Sequence, residues 1–281
     1  MRFAWYMHSA PSILEFRGER IPRLVAGTAQ RGMAYGIGNE AGAPCQCRVE
    51  SVVEAALNGG IRFFDTAQAY GESERFLGSA FRSLNAIGSV RVVSKLNPSL
   101  SPVDSKAVLQ SVKESVEMLG GPLWALLLHR PAWLDVWDMG LGEALQEARR
   151  QGLVRYLGAS IFTVEEARRA LEHERLDAVQ IPASAWDQRM LRAGVFRLAA
   201  ARGKVCFVRS IFLQGLLALP PQVVAGRLEF ASRAAEQWER VARKYSSPPI
   251  ALAVRYALAL PAPVVVGMET VEQIRANAAL F

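Results

Sequence analysis

Four residues of the chain have side chains suited to a single proton-transfer site: Asp65, Tyr70, Lys95 and His129. Asp65, Lys95 and His129 each directly follow a short apolar run (Ile61–Phe64, Val90–Ser94 and Trp124–Leu128), and Tyr70 lies five residues beyond Asp65. A phenol, with an ordinary pKa of about 10, is a poor acid at neutral pH. An ammonium beside it favours the phenolate, and a carboxylate keeps that ammonium charged and in place. A neutral imidazole donates a hydrogen bond to a substrate oxygen and stabilises the negative charge developing there. Together the four suit proton delivery to a carbonyl oxygen while hydride reaches its carbon. General acid catalysis of this kind contributes roughly 10²–10⁴-fold.

Each residue also has a structural reading. Asp65 before Thr66 is placed to cap a helix, and Lys95 to carry a strand-end charge into solvent. His129 before Arg130-Pro131 suits a core imidazole bonded by backbone groups, and Tyr70 beside Gly71 suits turn packing. The order of the four and their positions at successive run ends favour the joint reading.

The elements that must position them follow from the hydrophobic pattern. From residue 20 onward, short apolar runs alternate with longer amphipathic stretches. Strands are predicted at Leu24–Ala26, Ile61–Phe64, Val90–Ser94, Trp124–Leu128, Val154–Gly158, Ala178–Ile181, Val205–Val208 and Val264–Val266. Helices are predicted at Val49–Asn58, Ser105–Leu119, Leu141–Gln151, Val164–Glu172 and Arg192–Arg202, several closing on glycine (Gly59-Gly60, Gly120-Gly121, Gly152, Gly203) as left-handed C-terminal caps.

Eight strands alternating with helices imply a parallel sheet. A doubly wound sheet should carry Gly-x-Gly-x-x-Gly after its first strand. Gly36-Ile37-Gly38 lacks the third glycine and sits ten residues beyond that strand. The expected fold is therefore α/β, a (β/α)₈ barrel forming one domain over residues 1–281, with an N-terminal β-hairpin. The hairpin, Ser12–Ile21, turns at Arg17-Gly18-Glu19-Arg20 and is placed to plug the barrel's N-terminal end. In such a barrel the C-terminal strand ends meet in one bowl, which unites the four residues. Residues 210–262 are expected to hold a loop and two helices, the second starting at Pro248-Pro249, since proline suits a first helical turn.

The net charge of +7 raises the question of a nucleic-acid partner. The basic residues, such as Arg149, Arg150, Arg168, Arg169, Arg240 and Arg243, are scattered among acidic ones, and no dense basic block interleaved with aromatics occurs. No apolar run reaches the roughly 20 residues needed to span a bilayer, and the first twelve residues lack a signal-peptide core. A cytoplasmic enzyme with neither nucleic-acid nor membrane partner is the expectation. Cys45, Cys47 and Cys206 cannot all pair within the chain, and the one-residue gap between the first two differs from zinc-knuckle spacing. Reduced thiols and no metal are expected.

The segment Phe64-Asp65-Thr66-Ala67-Gln68-Ala69-Tyr70-Gly71-Glu72-Ser73-Glu74 resembles the signature of the aldo-keto reductase family. Val93-Ser94-Lys95 and Leu127-Leu128-His129-Arg130-Pro131 are similar to its lysine and histidine segments, in the same order. The resemblance runs from Leu24-Val25-Ala26-Gly27-Thr28 to Gly267–Asn277. It implies an oxidoreductase in which Tyr70 donates the proton, Lys95 and Asp65 tune it, and His129 orients the substrate. It also implies NADPH or NADH extended across the barrel mouth. Contacts to that cofactor would come from Gly27, Thr28, Asp65, Ser160, Gln180, Arg209, Ser210, Phe212, Gln214, Gly215, Gly267, Met268, Glu269, Gln273 and Asn277.

Two departures bear on the cofactor. Ile161 follows Ser160 where the family usually has Asn, and Arg209 stands where many members stack an aromatic on the nicotinamide. NADPH-preferring members carry cations where this chain has Glu269 and Gln273. Arg275 is a substitute phosphate ligand, whereas Glu269 suits an unphosphorylated ribose, so the coenzyme preference is open. Substrate contacts are expected from Tyr35, Arg130, Phe162 and Trp186, with Tyr35 and Trp186 suited to stacking on a sugar. The chain stops at Phe281, within the helix after the last strand, where many members continue with a tail over the pocket. The expectation is an open site, or one completed by another subunit in a homo-oligomer. The competing reading on the same fold is a non-redox lyase or epimerase, or a cofactor sensor, although a sensor has no use for a proton donor.

Overall fold

Each of the eight apolar runs is almost wholly buried, so each needs strand partners on both edges, and the chain supplies them by closing the sheet on itself. The computed structural model describes residues 13–32 and 45–280. A hairpin of β1 (Ile13–Phe16) and β2 (Glu19–Pro22) comes first. Arg17 and Gly18, with φ of 50° and 79°, form its two-residue turn, as the right-handed twist of paired strands favours. The barrel strands are β3 (Leu24–Gly27), β4 (Phe63–Asp65), β5 (Arg91–Lys95), β6 (Leu123–Leu128), β7 (Val154–Ser160), β8 (Ala178–Pro182), β9 (Val205–Arg209) and β10 (Val264–Gly267). They pair in parallel in chain order, and β10 returns to β3 with Gly267 opposite Gly27.

The helices are α1 (Ala29–Gly32), α2 (Gln46–Asn58), α3 (Ser73–Ser83), α4 (Ser105–Leu119), α5 (Leu141–Arg150), α6 (Val164–Glu172), α7 (Arg189–Arg192), α8 (Val195–Ala201), α9 (Pro221–Arg227), α10 (Ser232–Lys244), α11 (Pro249–Leu258) and α12 (Val271–Ala278). Local chemistry explains their ends. Asp104 caps α4 by accepting from the Ala107 N–H at 3.0 Å, and Gly120, at φ 84°, closes it. Within α4, Val108, Val112, Ser115 and Leu119 recur at helical spacing and face the barrel. Thr163 and Glu166 form a reciprocal capping box on α6.

Inside the barrel, the N-terminal layer is aromatic. Phe16 from the hairpin packs on Tyr156 (5.1 Å between ring centroids), and Trp124 meets Tyr156, Phe63 and Phe207 at 4.9, 5.3 and 5.8 Å. The hairpin thus closes that end, as expected.

The structure corrects several details. The helix predicted at Arg192–Arg202 starts only at Val195, as α8, because Gly194 takes a left-handed φ of 73° and separates it from the short α7, which ends at Arg192. Residues 210–262 hold three α-helices rather than two. The additional one, α9, starts at Pro221, and its Val224 joins Leu216, Ala231 and Ala235 in a separate small core. Gly60, Gly120, Gly152 and Gly203 take left-handed φ after their helices, whereas Gly59 sits at φ −79°. The second barrel strand begins at Phe63, not Ile61, and the third ends on Lys95 itself.

Candidate active site

Parallel closure brings the last residue of every barrel strand to one rim. Asp65 ends β4, Lys95 ends β5, and His129 directly follows β6. Ser160 ends β7 opposite Gln180 of β8, and Arg209 ends β9.

At the centre is a buried ion pair. Lys95, 1% exposed, donates from Nζ to Asp65 Oδ1 at 2.7 Å and to the Thr66 carbonyl at 2.8 Å. The other carboxylate oxygen, Oδ2, accepts from Gln180 Nε2 at 2.6 Å. Asp65 is therefore not a helix cap, and Lys95 does not reach solvent. The Lys95 ammonium lies 5.0 Å from the centroid of the Tyr70 ring. Burial alone would lower its pKa, but the Asp65 carboxylate and the Tyr70 phenol outweigh burial and hold it above the ordinary value.

His129 stands edge-on to Tyr70, with centroids 6.2 Å apart and planes at 87°. Burial first, then repulsion from Lys95, pushes its pKa down to about 4, with Arg209 adding to the fall and Asp65 opposing it. The imidazole is accordingly neutral at physiological pH. Its Nδ1 is buried without a protein partner, as is Gln180 Oε1. Buried polar atoms are normally satisfied. Two of them in one bowl are what a site for a polar ligand contains.

Serine and threonine hydroxyls lock the backbone around this centre. Thr28 Oγ1 donates to the Asp65 carbonyl at 2.9 Å, Ser73 Oγ to Thr28 Oγ1 at 2.9 Å, and Thr66 Oγ1 to Ser73 Oγ at 3.0 Å. Gln68, half-buried, and Glu74, buried, to which the sequence reading gave no role, belong to a second polar network behind Lys95. The available signal was their place within the signature segment.

The remaining candidates divide into two groups. Ser160 and Gln180 are buried opposite each other on adjacent strands, and the unpartnered Gln180 Oε1 is an acceptor that a primary amide N–H would satisfy. The donor set thus fits a carboxamide. A Cβ on Gly27 would fall 3.1 Å from Val265 Cγ1 and 3.3 Å from the Gly267 backbone N, so that position is closely packed, whereas one on Gly267 would meet only the movable end of the Gln30 side chain, at 2.6 Å. After β9, Ser210, Leu213, Gln214 and Gly215 all take positive φ, which curls the loop carrying Phe212.

At the far end, Met268 and Asn277 are buried. The Glu269 N–H donates to Gln273 Oε1 at 2.6 Å, so that side chain is engaged within its own turn. Burial raises the Glu269 carboxyl, against a downward pull from Arg48. Arg275 is exposed.

Of the substrate candidates, Tyr35 lies outside the described residues. Arg130 and Phe162 are exposed on the rim, and Trp186 packs against the small core around Leu216. Arg209 lies over the Phe162 ring at 4.6 Å and donates to the Ile161 carbonyl at 3.0 Å. Its planar face therefore already has one aromatic partner. Among the described residues, no cluster of three or more His, Cys, Asp or Glu side chains is placed to hold a metal, and no helix is long and apolar enough to cross a membrane. Cys45 and Cys47 are free and exposed, and Cys206 is free and buried.

A closed parallel barrel whose C-terminal bowl buries a carboxylate–ammonium pair beneath a tyrosine and a neutral histidine defines a class of (β/α)₈-barrel enzymes. The sequence profile of the aldo/keto reductase family matches residues 23–281, and the chain belongs to that family. It is an oxidoreductase of carbonyl and alcohol groups that works with NADH or NADPH. A D-threo-aldose 1-dehydrogenase of a Pseudomonas species is 27% identical over 296 residues, covering 90% of each chain. A pyridoxal 4-dehydrogenase of Microbacterium luteolum is 26% identical over 317, covering 94% of this chain and 90% of its own. Among solved structures, a glycerol dehydrogenase from Gluconobacter oxydans superposes with a TM-score of 0.74 at 21% identity. An aldo-keto reductase from Bacillus halodurans in its holo form gives 0.75 at 19%. Each structural match covers 96% of this chain and 90% of the other.

Proposed function

We propose that the chain reduces an aldehyde, ketone or sugar carbonyl, or oxidises the corresponding alcohol, with Tyr70 as the proton donor. The observation carrying this reading is the buried Lys95–Asp65 pair 5.0 Å from the Tyr70 ring centroid. When bound, the nicotinamide supplies or accepts the hydride. Ser160 and Gln180 hold its carboxamide, and Arg209 flanks the ring. Gly27, Thr28 and the loop from Ser210 to Gly215 hold the remainder of the reactive half, while Gly267, Met268, Glu269, Gln273 and Asn277 hold the adenosine end.

Tyr70 Oη donates to the carbonyl oxygen of the substrate. As that proton leaves, Lys95 stabilises the phenolate left behind, and Asp65 keeps Lys95 charged and aimed. Neutral His129 donates to the same oxygen, which orients the substrate and stabilises developing charge. Arg130, Phe162 and Trp186 line the substrate side, and Tyr35 lies outside the described residues. With Gln273 engaged by its own turn and a carboxyl at Glu269, the adenosine end favours NADH, because a ribose 2′-phosphate would meet like charge there.

The test is Tyr70→Phe with separate NADH and NADPH titrations of Trp fluorescence. Turnover should fall about 10²- to 10⁴-fold while coenzyme affinity holds, and NADH should bind more tightly than NADPH. Retained turnover would remove Tyr70 from its role. Tight coenzyme binding by the parent, without hydride exchange on a panel of carbonyls, would favour the non-redox alternative.

A further inference from the structure

Behind Lys95, on the side of β5 away from the bowl, lies a polar cluster around the buried Glu74 that the proposed chemistry does not use. Glu74, in the first turn of α3, is 4% exposed, yet its oxygens accept from serine hydroxyls rather than from a cation. Ser94 Oγ donates to Oε1 at 2.5 Å, and Ser115 Oγ, from α4, donates to Oε2 at 2.9 Å. Ser115 Oγ in turn accepts from Gln68 Nε2 at 2.9 Å. Gln68 Oε1 accepts from Ser111 Oγ at 2.8 Å and from the Asn97 N–H at 2.6 Å, and the Gln68 N–H donates to the Lys95 carbonyl at 3.1 Å.

A carboxyl buried among hydroxyls is costly to desolvate, and apolar side chains would fill a helix–sheet seam more cheaply. What the cluster supplies is geometry. It grips the chain on both sides of Lys95, at Ser94 within β5 and at Asn97 just beyond it. It also grips the chain on both sides of Tyr70, at Gln68 and at Glu74. Between those grips the Tyr70 turn closes on itself through Tyr70 N–H to the Ala67 carbonyl at 3.0 Å and Ser73 N–H to the Tyr70 carbonyl at 3.1 Å.

We propose that Gln68 and Glu74 are positioning residues that set the separation of the Tyr70 hydroxyl from the Lys95 ammonium. The inference rests on Tyr70 being the proton donor. Neither side chain touches substrate, so their loss should slow the chemical step and leave binding intact. A misplacement of about 1 Å costs on the order of 10²-fold in rate.

The test measures kcat, coenzyme Kd and the isotope effect from C4-deuterated coenzyme, with 4-nitrobenzaldehyde as the probe. Glu74→Ala should lower kcat about 10- to 100-fold, leave coenzyme Kd within twofold and raise the isotope effect on kcat. Glu74→Gln retains one acceptor and offers an amide to a reoriented serine, and it should recover most of the rate. Gln68→Ala and Ser115→Ala should move the same readouts in the same direction, and they decide the matter if Glu74→Ala does not fold. A folded Glu74→Ala or Gln68→Ala with parental kcat, or a loss confined to coenzyme Kd, overturns the inference. Tyr70→Phe serves as the control. If it retains turnover, the proton-donor reading itself fails. If it is inactive while the Glu74 and Gln68 variants are parental, only the positioning role fails.

Discussion

Both ends of the barrel contain a carboxylate inside a ring of aromatic or polar groups, and they treat it in opposite ways. At the N-terminal end, Glu19 of the hairpin accepts from Trp124 Nε1 at 3.0 Å and Tyr156 Oη at 2.5 Å and pairs with Arg155 at 3.0 Å. Around it, Phe16, Phe63, Trp124, Tyr156 and Phe207 fill the barrel interior. At the C-terminal end, Asp65 is bonded by Lys95 and Gln180, but the surrounding side chains leave Gln180 Oε1 and His129 Nδ1 without partners. One carboxylate ties a plug to the barrel with its partners supplied from the protein. The other anchors a cation beside two buried polar atoms that have no protein partner. Buried polar atoms without a partner occur at both ends, since Arg23 Nε and Nη1, directly before β3, also lack one; what distinguishes the C-terminal end is the ion pair at the face where barrel chemistry gathers.

The comparison breaks most sharply at Lys95. Lys95→Met leaves Asp65 buried beside an apolar chain, so turnover should fall about 10²- to 10⁴-fold and stability by about 3 kcal/mol. Steady-state kinetics and urea unfolding would measure both, and a stable, active variant would deny the pair its importance. At the opposite end, Glu19→Ala strands the Trp124 and Tyr156 donors. It should cost about 2–4 kcal/mol in the same unfolding assay while kcat stays within about twofold, since the aromatic layer separates it from the bowl. A drop in kcat without loss of stability would reverse the assignment of the two ends.

The smallest effect is one of pH. His129 is held neutral when folded, with its pKa at about 4, while the unfolded imidazole protonates near 6.5. Between those values the unfolded chain binds the extra proton. This site's contribution is therefore complete above about pH 6.5 and declines as pH falls toward 4. Unfolding midpoints of the parent and His129→Gln at pH 7 and pH 5 should show a shallower loss in the variant. Equal slopes would mean that His129 is not held neutral.

Much of this arrangement was legible in the sequence. The alternation of apolar runs with amphipathic stretches fixed eight strands, because a strand buried in a closed barrel must be apolar over most of its length. Asp65, Lys95 and His129, at the ends of three successive runs, then marked the bowl. The less legible parts were those where side chains serve each other rather than a period. Gly194 separates α8 from the short α7 through backbone conformation alone. The short α9 is stabilised by a local core that includes Val224 and Ala231 and draws in Trp186. Gln68 and Glu74 read as polar residues of a loop and a helix start, and only the packing of α3 and α4 on β5 joins them in one network.

The sequence by itself determined which chemical groups the bowl contains and in what order around the rim, since chain order is rim order in a parallel barrel. Distances and charge states were decided only by the tertiary structure. Gln180 reaches Asp65 across 115 residues of chain, and no local pattern encodes that approach. His129 is neutral and Lys95 is charged because burial and neighbouring charges act on each at short range, and those neighbours are assembled only when the barrel closes.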